Sequence, residues 1–395
     1  MGLGADGVPG LSEPARAAIA QAELVAGSQR QLQLVQTLVG GETLVWPSPL
    51  SDGIAKILTR RGRSTCVLAS GDPFWYGIGA TLAARLDARE LSCHPAPSSL
   101  SLAAARLGWA IADVQVVSLH GRDLQLILPH LAPERRLLVL SWDARTPRQL
   151  AALLCQRGFG ASRMHVLELL GGPAERVRSA LAVDYSLPDV ADLNVVALEL
   201  QCEPHAFYLP VRGSLPDSAF EHDGQITKQD VRALTLSALA PYAGARLWDV
   251  GAGSGSVAIE WMLSHPSCRA HAVERERVRC ARIRHNAGAL GVPTLEVVEA
   301  EAPAGLTHLP TPDAIFIGGG SSDRAIFEAC WAALRRGGRL VINSVTLQSD
   351  GLLTRLYQEH GGELRRFSIE HAEPLGGMTG FRPARAVTQW RVNKP

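Results

Sequence analysis

The sequence has no apolar run of the roughly 18 to 20 residues that a membrane-spanning helix requires. Its amino terminus also lacks the charged and then apolar pattern of a secretory signal. The 7 cysteines are scattered and include no Cys-x-x-Cys pair, so we expect reduced thiols in a cytoplasmic protein. The 12 histidines show no metal-ligand spacing, and we expect no metal site.

An excess of charge of one sign is missing as well. The 39 basic and 38 acidic residues leave a formal net charge of +1, so no global field attracts nucleic acid or an anionic membrane. Lysine is scarce, since only Lys56, Lys228 and Lys394 occur and arginine carries the other basic positions. A composition of 46% hydrophobic and 19% charged residues is globular, and 395 residues predict two or three domains.

Two α/β stretches follow one another along the chain. We predict one domain over residues 1–203 and a second over 222–395, joined by a linker over 204–221 that Pro, Gly and Ser punctuate. In the first domain the pattern predicts a helix over 11–25 and strands over 65–69, 114–118, 137–141, 164–167 and 194–200.

In the second domain, predicted strands alternate with predicted helices, which indicates a parallel sheet covered on both faces. Helices are predicted over 257–263, 277–290 and 324–334. Strands are predicted over 246–250, 270–273, 295–298, 314–317 and 339–343, with a final edge strand over 386–392.

The strongest local signal is the run Asp-Val-Gly-Ala-Gly-Ser-Gly at 249–255, between a predicted strand and a predicted helix. Glycines there let the backbone turn sharply and approach a ligand with no Cβ in the way. Glu274 ends the next predicted strand, where a carboxylate can accept hydrogen bonds from both ribose hydroxyls of an adenosine. The acid before the first glycine can face an ammonium group but would repel a pyrophosphate. The loop therefore favours S-adenosylmethionine over a nicotinamide dinucleotide.

Several segments of the second domain together carry a more specific resemblance. They are residues 224–228, 247–261, 272–275, 301–303, 312–320, 337–341 and 343–347. From about residue 222 onward the chain resembles the precorrin C15-methyltransferases of corrin synthesis, which also decarboxylate their substrate. The resemblance implies a class I Rossmann-like methyltransferase fold whose cofactor pocket is lined by Thr227, Gly251, Ala252, Gly253, Ser254, Gly255, Glu274 and Ala302.

Three further residues of these segments are candidates for contact with the substrate. Lys228, Asn343 and Thr346 lie at predicted strand or helix ends, where α/β sheets present ligands. Structural alternatives remain open, because Thr227 and Lys228 can simply begin a helix with Thr227 as its N-cap. Asn343 can likewise do no more than satisfy backbone groups.

In the first domain, three glycine-containing or serine-containing turns stand beside predicted strands and helices. They are residues 2–7, 69–77 and 95–99, and the segments 118–122 and 170–176 agree with them. Together they resemble the tetrapyrrole methylase family, in its precorrin C5-methyltransferase branch. The resemblance implies a two-lobed α/β fold that binds S-adenosylmethionine in a cleft, with Gly4, Gly71, Asp72, Ser98 and Ser99 at the cofactor. Since that family has a longer strand before its first turn, we expect the first strand here to be truncated.

Fused in this order, the two domains resemble the decarboxylating precorrin C5,15-methyltransferases over nearly the whole chain. The resemblance implies methylation of precorrin-6B at C5 and C15, with loss of CO2 from an acetate side chain, to give precorrin-8X in cobalamin biosynthesis. It also implies one S-adenosylmethionine per domain, a small tetrapyrrole as the partner rather than nucleic acid or membrane, and self-association into a homo-oligomer.

Three rival interpretations use the same loop. A class I methyltransferase acting on RNA would show a basic, aromatic-rich face or an Asn/Asp-Pro-Pro-aromatic tetrad, whereas the corresponding strand end here reads Ile-Gly-Gly-Gly at 317–320. An S-adenosylmethionine-binding sensor with an inactive first domain would bind cofactor without turnover. A nicotinamide oxidoreductase would bind NADH.

Overall fold

The structure, a computed structural model, describes residues 1–204, 206–210 and 214–395. It forms two compact units, the first made of Met1–Leu124 and His130–Phe207, the second of Gln125–Pro129 and Tyr208–Pro395. Residues 205 and 211–213 of the predicted linker lie outside the described residues, and the domain limits at 203 and 222 stay a prediction. Within the described ranges, no helix is both long and apolar enough to cross a membrane.

The first unit combines small parallel sheets with a larger mixed one. Its helices are α1 (Glu13–Ala20), α2 (Gln29–Val35), α3 (Leu50–Leu58), α4 (Ile78–Ala83), α5 (Ser99–Leu107) and α6 (Thr146–Gln156). Its strands are β1 (Gly2–Leu3), β2 (Leu24–Gly27), β3 (Glu42–Val45), β4 (Thr65–Val67), β5 (Ala69–Ser70), β6 (Gln115–Ser118), β7 (Arg136–Leu140), β8 (Arg163–Glu168), β9 (Arg176–Leu181) and β10 (Asn194–Glu199). The sheet orders are β3-β2-β4, β1-β5 and β6-β7-β10-β8-β9.

The short strand β1 forms a two-stranded sheet with β5, which follows β4. It pairs in parallel with β5, and the amide of Ala69 donates to the carbonyl of Met1 at 2.8 Å. The amide of Gly71 donates in the same way to the carbonyl of Leu3 at 3.0 Å. These bonds bring the Gly2 turn beside the Gly71 turn. The expected truncation of the first strand stays a prediction.

The predicted helix over 11–25 is wrong in its second half. Helix α1 ends at Ala20, and Leu24–Gly27 is instead β2, the central strand between β3 and β4. All four residues of β2 are buried. A short apolar run of this kind is buried on both faces of a parallel sheet, and its periodicity cannot be told from that of a buried helix. The other strands predicted for this unit are confirmed as β4 with β5, β6, β7, β8 and β10.

The second unit is built on one large sheet. Its helices are α7 (Gln229–Leu239), α8 (Ser256–Ser264), α9 (Arg277–Ala289), α10 (Arg324–Ala333) and α11 (Leu347–His360). Its strands are β11 (Arg246–Val250), β12 (Arg269–Glu274), β13 (Glu296–Glu299), β14 (Ala314–Ile317), β15 (Arg339–Ser344), β16 (Glu363–Phe367), β17 (Glu370–Leu375), β18 (Met378–Pro383) and β19 (Val387–Asn393). Seven strands form the sheet in the order β13-β12-β11-β14-β15-β19-β16, and β17 and β18 form a separate hairpin.

Strand directions in this sheet bring many chain segments to one edge. Strands β13, β12, β11, β14 and β15 are parallel, so their carboxyl ends lie together. Strand β19 runs antiparallel to β15 and to β16, with Ser344 paired to Thr388 and Phe367 paired to Val387. The start of β19 therefore lies at the same edge as the carboxyl ends of the parallel strands. This is the edge at which α/β sheets bind ligands.

Most elements predicted for the second unit are confirmed within one or two residues, but the predicted edge position of the last strand is wrong. Strand β19 lies between β15 and β16, so β16 is the edge strand. The sequence Glu-Leu-Arg-Arg-Phe of β16 is mostly charged and carries little apolar signal. Its position is set by pairing with β19 rather than by burial of its own side chains.

The core of the second unit lies on both faces of its sheet. Leu247 packs in the cluster on one face, whereas Trp248 packs in the cluster on the other, as alternation along a strand requires. Trp261 of α8 belongs to the same cluster as Leu247. Trp248 and Trp261 are 1% and 0% exposed, so both are core residues.

Arg232 of α7 forms an ion pair inside this core rather than at a ligand surface. Its side chain is 0% exposed, and Nε donates to Oε1 of Glu260 on α8 at 2.6 Å. Its Nη1 donates to Oδ1 of Asp217 at 3.2 Å and to the carbonyl of Thr227 at 2.5 Å. Arg232 therefore anchors the segments of Asp217 and Thr227 to helix α8 from inside the core.

The Arg232–Glu260 pair yields a stability prediction. Arg232→Met leaves the Glu260 carboxylate buried without its partner, so we expect a loss of about 3–5 kcal/mol in the free energy of unfolding. The matched control is Arg391→Met, which removes an exposed ion pair to Glu363 at 2.8 Å and should cost at most about 1 kcal/mol. Scanning calorimetry of the full chain measures both. Equal stabilities of the two variants would contradict a structural role for Arg232.

Candidate functional site

A cavity of about 1030 Å³ opens at the carboxyl edge of the second unit's sheet. Its wall brings together most of the site residues that the sequence predicts for this half of the chain. They are Thr227, Lys228, Gly251, Ala252, Gly253, Glu274, Ala302, Asn343 and Thr346.

The glycine loop between β11 and α8 takes the backbone conformations that the sequence predicts. Gly251, Gly253 and Gly255 all have positive φ, at 71°, 61° and 77°. A Cβ on Gly251 would lie 2.5 Å from the Cα of Gly319, and one on Gly255 would lie 2.7 Å from a methyl carbon of Ile283. Larger residues are excluded at both positions, and the loop presents bare backbone to the cavity.

Glu274, at the end of β12, is held directly under this loop. The amide of Gly253 donates to Oε2 at 2.9 Å, and the amide of Glu276 donates to Oε1 at 3.0 Å. The residue is 5% exposed and lies on the cavity wall. Each carboxylate oxygen has a second lone pair, so the geometry leaves room for the hydroxyl donors that the sequence predicts.

Asp249, the last acid before the loop, is buried with one oxygen unpartnered. Its Oδ2 accepts from the amide of Ala258 at 3.0 Å, whereas Oδ1 has no hydrogen-bond partner. Burial raises the pKa of Asp249 to about 7, and the nearby charge of Glu274 adds to the shift. An unpaired buried carboxylate oxygen on a cavity wall is costly unless a cationic ligand supplies the missing donor. This unpaired acceptor therefore fits the ammonium end of S-adenosylmethionine.

Two residues of the predicted loop do not line the cavity. Ser254 is 1% exposed, its carbonyl accepts from Nδ2 of Asn286 at 3.0 Å, and its hydroxyl is buried. Gly255 is the left-handed N-cap of α8. Both shape the turn from β11 into α8, and their assignment to the cofactor stays a prediction.

The segment that precedes α7 is fixed to α9 by salt bridges beside the cavity. Asp223 pairs with Arg279 and Arg282 of α9, both at 3.0 Å, and these hydrogen bonds, with Arg279 foremost, hold the pKa of Asp223 well below its usual range. The N-cap of α7 is Lys228, not Thr227 as the structural alternative proposed. The Lys228 side chain is 62% exposed, and its ammonium lies 3.4 Å from Oδ2 of Asp217. Lys228 therefore stands at the cavity wall in an exposed ion pair.

Asn343 and Thr346 are both engaged in hydrogen bonds within the protein. Asn343 donates from Nδ2 to Thr235 Oγ1 at 2.8 Å and accepts at Oδ1 from Gln389, also at 2.8 Å. Thr346 is the N-cap of α11, and its hydroxyl oxygen accepts from the amide of Ser349 at 3.3 Å. The network fixes both side chains at the cavity wall, and their contact with substrate stays a prediction.

Sequence patterns did not reveal the wall on the far side of the cavity. It consists of residues next to the hairpin β17–β18, namely Phe367, Ile369, His371, Ala384, Arg385 and Val387. Their place depends on the order of β16 and β19 in the sheet, for which the sequence carries no local signal. In the described part of the chain, no group of three or more His, Cys, Asp or Glu side chains is arranged to hold a metal ion.

The first unit brings its three predicted turns together. A Cβ on Gly2 would lie 2.3 Å from the carbonyl oxygen of Gly71 and 2.4 Å from the amide nitrogen of Ala96. Gly71 has a φ of 63°, and a Cβ there would lie 2.8 Å from the Cα of Ser98. Backbones approach this closely only where side chains are absent.

The remaining predicted residues of this unit take ordinary local roles. Gly4 lies against the carboxylate of Asp6, since a Cβ on it would meet Asp6 Oδ1 at 2.4 Å. Asp72 accepts from the amide of Phe74 at 2.8 Å. Ser98 is the N-cap of α5 and accepts from the amide of Ser101 at 3.1 Å, while Ser99 is the first helical residue. The cofactor roles of these residues stay predictions.

Family models match both halves of the chain. Residues 1–183 match the tetrapyrrole (corrin/porphyrin) methylases, and residues 218–394 match a precorrin methyltransferase domain. Fold and glycine loop together therefore define the chain as an S-adenosylmethionine-dependent methyltransferase with a class I domain in its second half.

Individual relatives define the family more closely. A Sinorhizobium protein named precorrin-6Y C(5,15)-methyltransferase [decarboxylating] is 52% identical over 394 residues, which cover 100% of this chain and 95% of the relative. A Salmonella typhimurium protein named cobalt-precorrin-7 C(5)-methyltransferase is 32% identical over 199 residues, which cover 49% of this chain and 97% of the relative. The solved C-terminal domain of precorrin-6Y C5,15-methyltransferase from Rhodobacter capsulatus is 45% identical, with a TM-score of 0.45, and covers 47% of this chain and 100% of that chain.

The chain belongs to the family of decarboxylating precorrin-6Y C5,15-methyltransferases, because it aligns with the Sinorhizobium relative along its whole length. It is a methyltransferase of cobalamin biosynthesis.

Glu274 is the first target for testing the cavity. Glu274→Ala should weaken binding of S-adenosylmethionine to the second unit by about 1–3 kcal/mol, because charge-assisted hydrogen bonds are lost. The control is Glu276→Ala, an exposed acid two residues later whose partner is Arg275 at 3.4 Å. Calorimetric titration measures the affinity, and an unchanged value for Glu274→Ala would remove this residue from the site.

We expect cofactor affinity to depend on pH through Asp249. With its pKa raised to about 7, the carboxyl is increasingly protonated as the pH falls below that value, and an ammonium ligand loses its partner. We expect affinity for S-adenosylmethionine at this site to drop by up to roughly tenfold per pH unit below about pH 7. Asp249→Asn should bind weakly and lose that slope. Calorimetric titrations between about pH 5.5 and 7 measure this dependence of affinity on pH. If Asp249→Asn kept the same slope, Asp249 would not be the partner of the ammonium group.

Proposed function

We propose that the chain methylates precorrin-6B at C5 and C15 and removes CO2 from an acetate side chain, which gives precorrin-8X. C5 methylation is assigned to residues 1–203, and C15 methylation with decarboxylation to residues 222–395, with 204–221 as the linker. The observation that carries the proposal is the second-unit cavity, where the glycine loop, Glu274 and the unpaired oxygen of Asp249 meet. A relative of half this length named for C5 methylation alone supports the division into two activities.

In the second domain, the cofactor is proposed to lie across the ends of β11 and β12. Asp249 accepts from its ammonium group, Glu274 accepts from its ribose, and Gly251, Ala252 and Gly253 border it through their backbone. Thr227 and Ala302, which also line the cavity, complete the pocket. When bound there, S-adenosylmethionine supplies an electrophilic methyl group.

The protein's own part in methyl transfer is chiefly one of alignment. The meso carbons of a reduced tetrapyrrole are enamine-like and already nucleophilic, so no strong base is required. The enzyme must hold carbon, methyl and sulfur in line and exclude water. Gly318, Gly319 and Gly320 follow β14 and lie on the cavity wall, where their lack of side chains lets this turn pack closely against the glycine loop and its neighbours.

Decarboxylation uses the same ring. The bond between the acetate carbon and its carboxylate breaks, CO2 leaves, and the electron pair moves into a conjugated imine of the macrocycle. A proton must then reach the carbon that lost CO2. Lys228 is proposed as the donor, because its ammonium is exposed at the cavity wall, while Asn343 and Thr346 orient the ring.

The first domain is proposed to hold a second molecule of S-adenosylmethionine. Its site is formed by Gly4, Gly71, Asp72, Ser98 and Ser99. The close approach of Gly71 to Ser98 supports this proposal, because it keeps side chains away from the surface where the turns meet.

We further propose that the enzyme acts in the cytoplasm as a homo-oligomer on a small tetrapyrrole rather than on nucleic acid. All 7 cysteines are free thiols, which fits a reducing compartment. Sedimentation of the purified chain measures the oligomeric state.

Product mass tests the reaction. The full chain, given precorrin-6B and S-adenosylmethionine, should form a product with two added methyl groups and one lost CO2. Glu274→Ala should slow addition of one methyl and the loss of CO2, and Gly71→Val should slow only the other methyl, because a β-branched residue is strained at a φ of 63°.

Mass spectrometry of timed samples separates these products. Binding of cofactor and tetrapyrrole by the wild type without any mass change would favour the sensor interpretation. A single methylation that Gly71→Val and Glu274→Ala slow equally would contradict the two-site division.

A further inference from the structure

Arg385 is distinguished from the other basic side chains on the cavity wall by its lack of a partner. The others each lie within 4 Å of a carboxylate: Lys228 and Asp217 at 3.4 Å, Arg275 and Glu301 at 3.1 Å, Arg279 and Asp223 at 3.0 Å, and His371 and Asp230 at 3.9 Å. Arg385 has no ion pair or hydrogen bond from its side chain to any residue in 1–204, 206–210 or 214–395.

The backbone around Arg385 is nevertheless fixed. The amide of Ala384 donates to the carbonyl of Ile369 at 2.8 Å, and β19 begins two residues later at the buried Val387. Pro383 precedes this segment and limits its φ angle. The chain therefore holds an arginine without a partner at a defined point of the cavity wall.

Strand order sets the distance between this arginine and the glycine loop. From β11, which carries the glycine loop, the sheet continues through β14 and β15 to β19. Three strand spacings of about 4.8 Å put roughly 14 Å between the loop and the start of β19. Both lie at the same edge, so a ligand that fills the space between them meets the glycine loop at one end and Arg385 at the other.

We propose that Arg385 binds a carboxylate of the tetrapyrrole that remains on the product, an inference that rests on the proposed function of this cavity. Arg385 is exposed on the cavity wall, and its guanidinium offers two parallel donors, which suit a carboxylate and give both affinity and orientation. The carboxylate that leaves as CO2 is a poor partner. It loses its negative charge in the transition state, so an arginine bound to it would stabilise the ground state more.

The test compares Arg385→Gln and Arg385→Lys with a control variant on the neighbouring hairpin β17–β18. The control is Arg382→Gln, whose side chain is 76% exposed, pairs with Glu373 at 3.2 Å and does not line the cavity. Full-length proteins are assayed with precorrin-6B for KM, kcat and CO2 released per methyl transferred. Calorimetry with S-adenosylmethionine alone shows whether each variant keeps its cofactor site and its fold.

Arg385→Gln should raise the KM for the tetrapyrrole roughly 10- to 100-fold, the loss of one charge-assisted carboxylate contact. Arg385→Lys should recover part of that loss, Arg382→Gln should stay within about twofold of the wild type, and cofactor affinity should not change. A KM for Arg385→Gln equal to that of the control would overturn the proposal. A fall in CO2 released per methyl would overturn the assignment to a retained carboxylate. Failure of the proposed function is seen separately, as a wild type that forms no methylated product.

Discussion

The site of the second domain depends on one constraint, the shared direction of the strands in its sheet. Because β11, β12, β14 and β15 are parallel, the loops that follow them emerge at one edge. The reversed strand β19 adds its beginning to that edge, since Ser344 pairs with Thr388. A glycine loop, an acid at the end of β12 and an arginine distant in sequence thus meet around one cavity, although no local sequence feature connects them.

Polar interactions in this domain fix segments that the sheet alone would leave loose. Arg232 and Glu260 hold the chain before α7 from inside the core, and Asp223 with Arg279 holds it from α9. Asp249 illustrates the opposite case, because burial without a full set of partners raises its pKa and makes its charged form costly. A buried carboxylate without a full set of partners lowers the stability of the ligand-free protein. A cationic ligand supplies the missing hydrogen-bond donor, so binding of that ligand offsets this cost.

Sequence patterns predicted the elements with strong apolar runs and the residues of the glycine loop. They failed where position is set by pairing instead of by composition. The predicted helix ran through residues 24 and 25, but pairing with β3 and β4 makes residues 24–27 a strand. The charged strand β16 was not predicted, and without it the place of Arg385 could not be found. Family resemblance supplied Thr227 and Ala302, whereas the unpaired oxygen of Asp249 could be found only in the three-dimensional structure.

We propose that one chain holds two sites for S-adenosylmethionine, one in each unit. Calorimetric titration of the full-length chain with S-adenosylmethionine at about pH 7.5, without tetrapyrrole, measures the number of sites directly. We expect two molecules bound per chain. Saturation at one molecule per chain, with that site abolished by a change in only one of the two units, would contradict it.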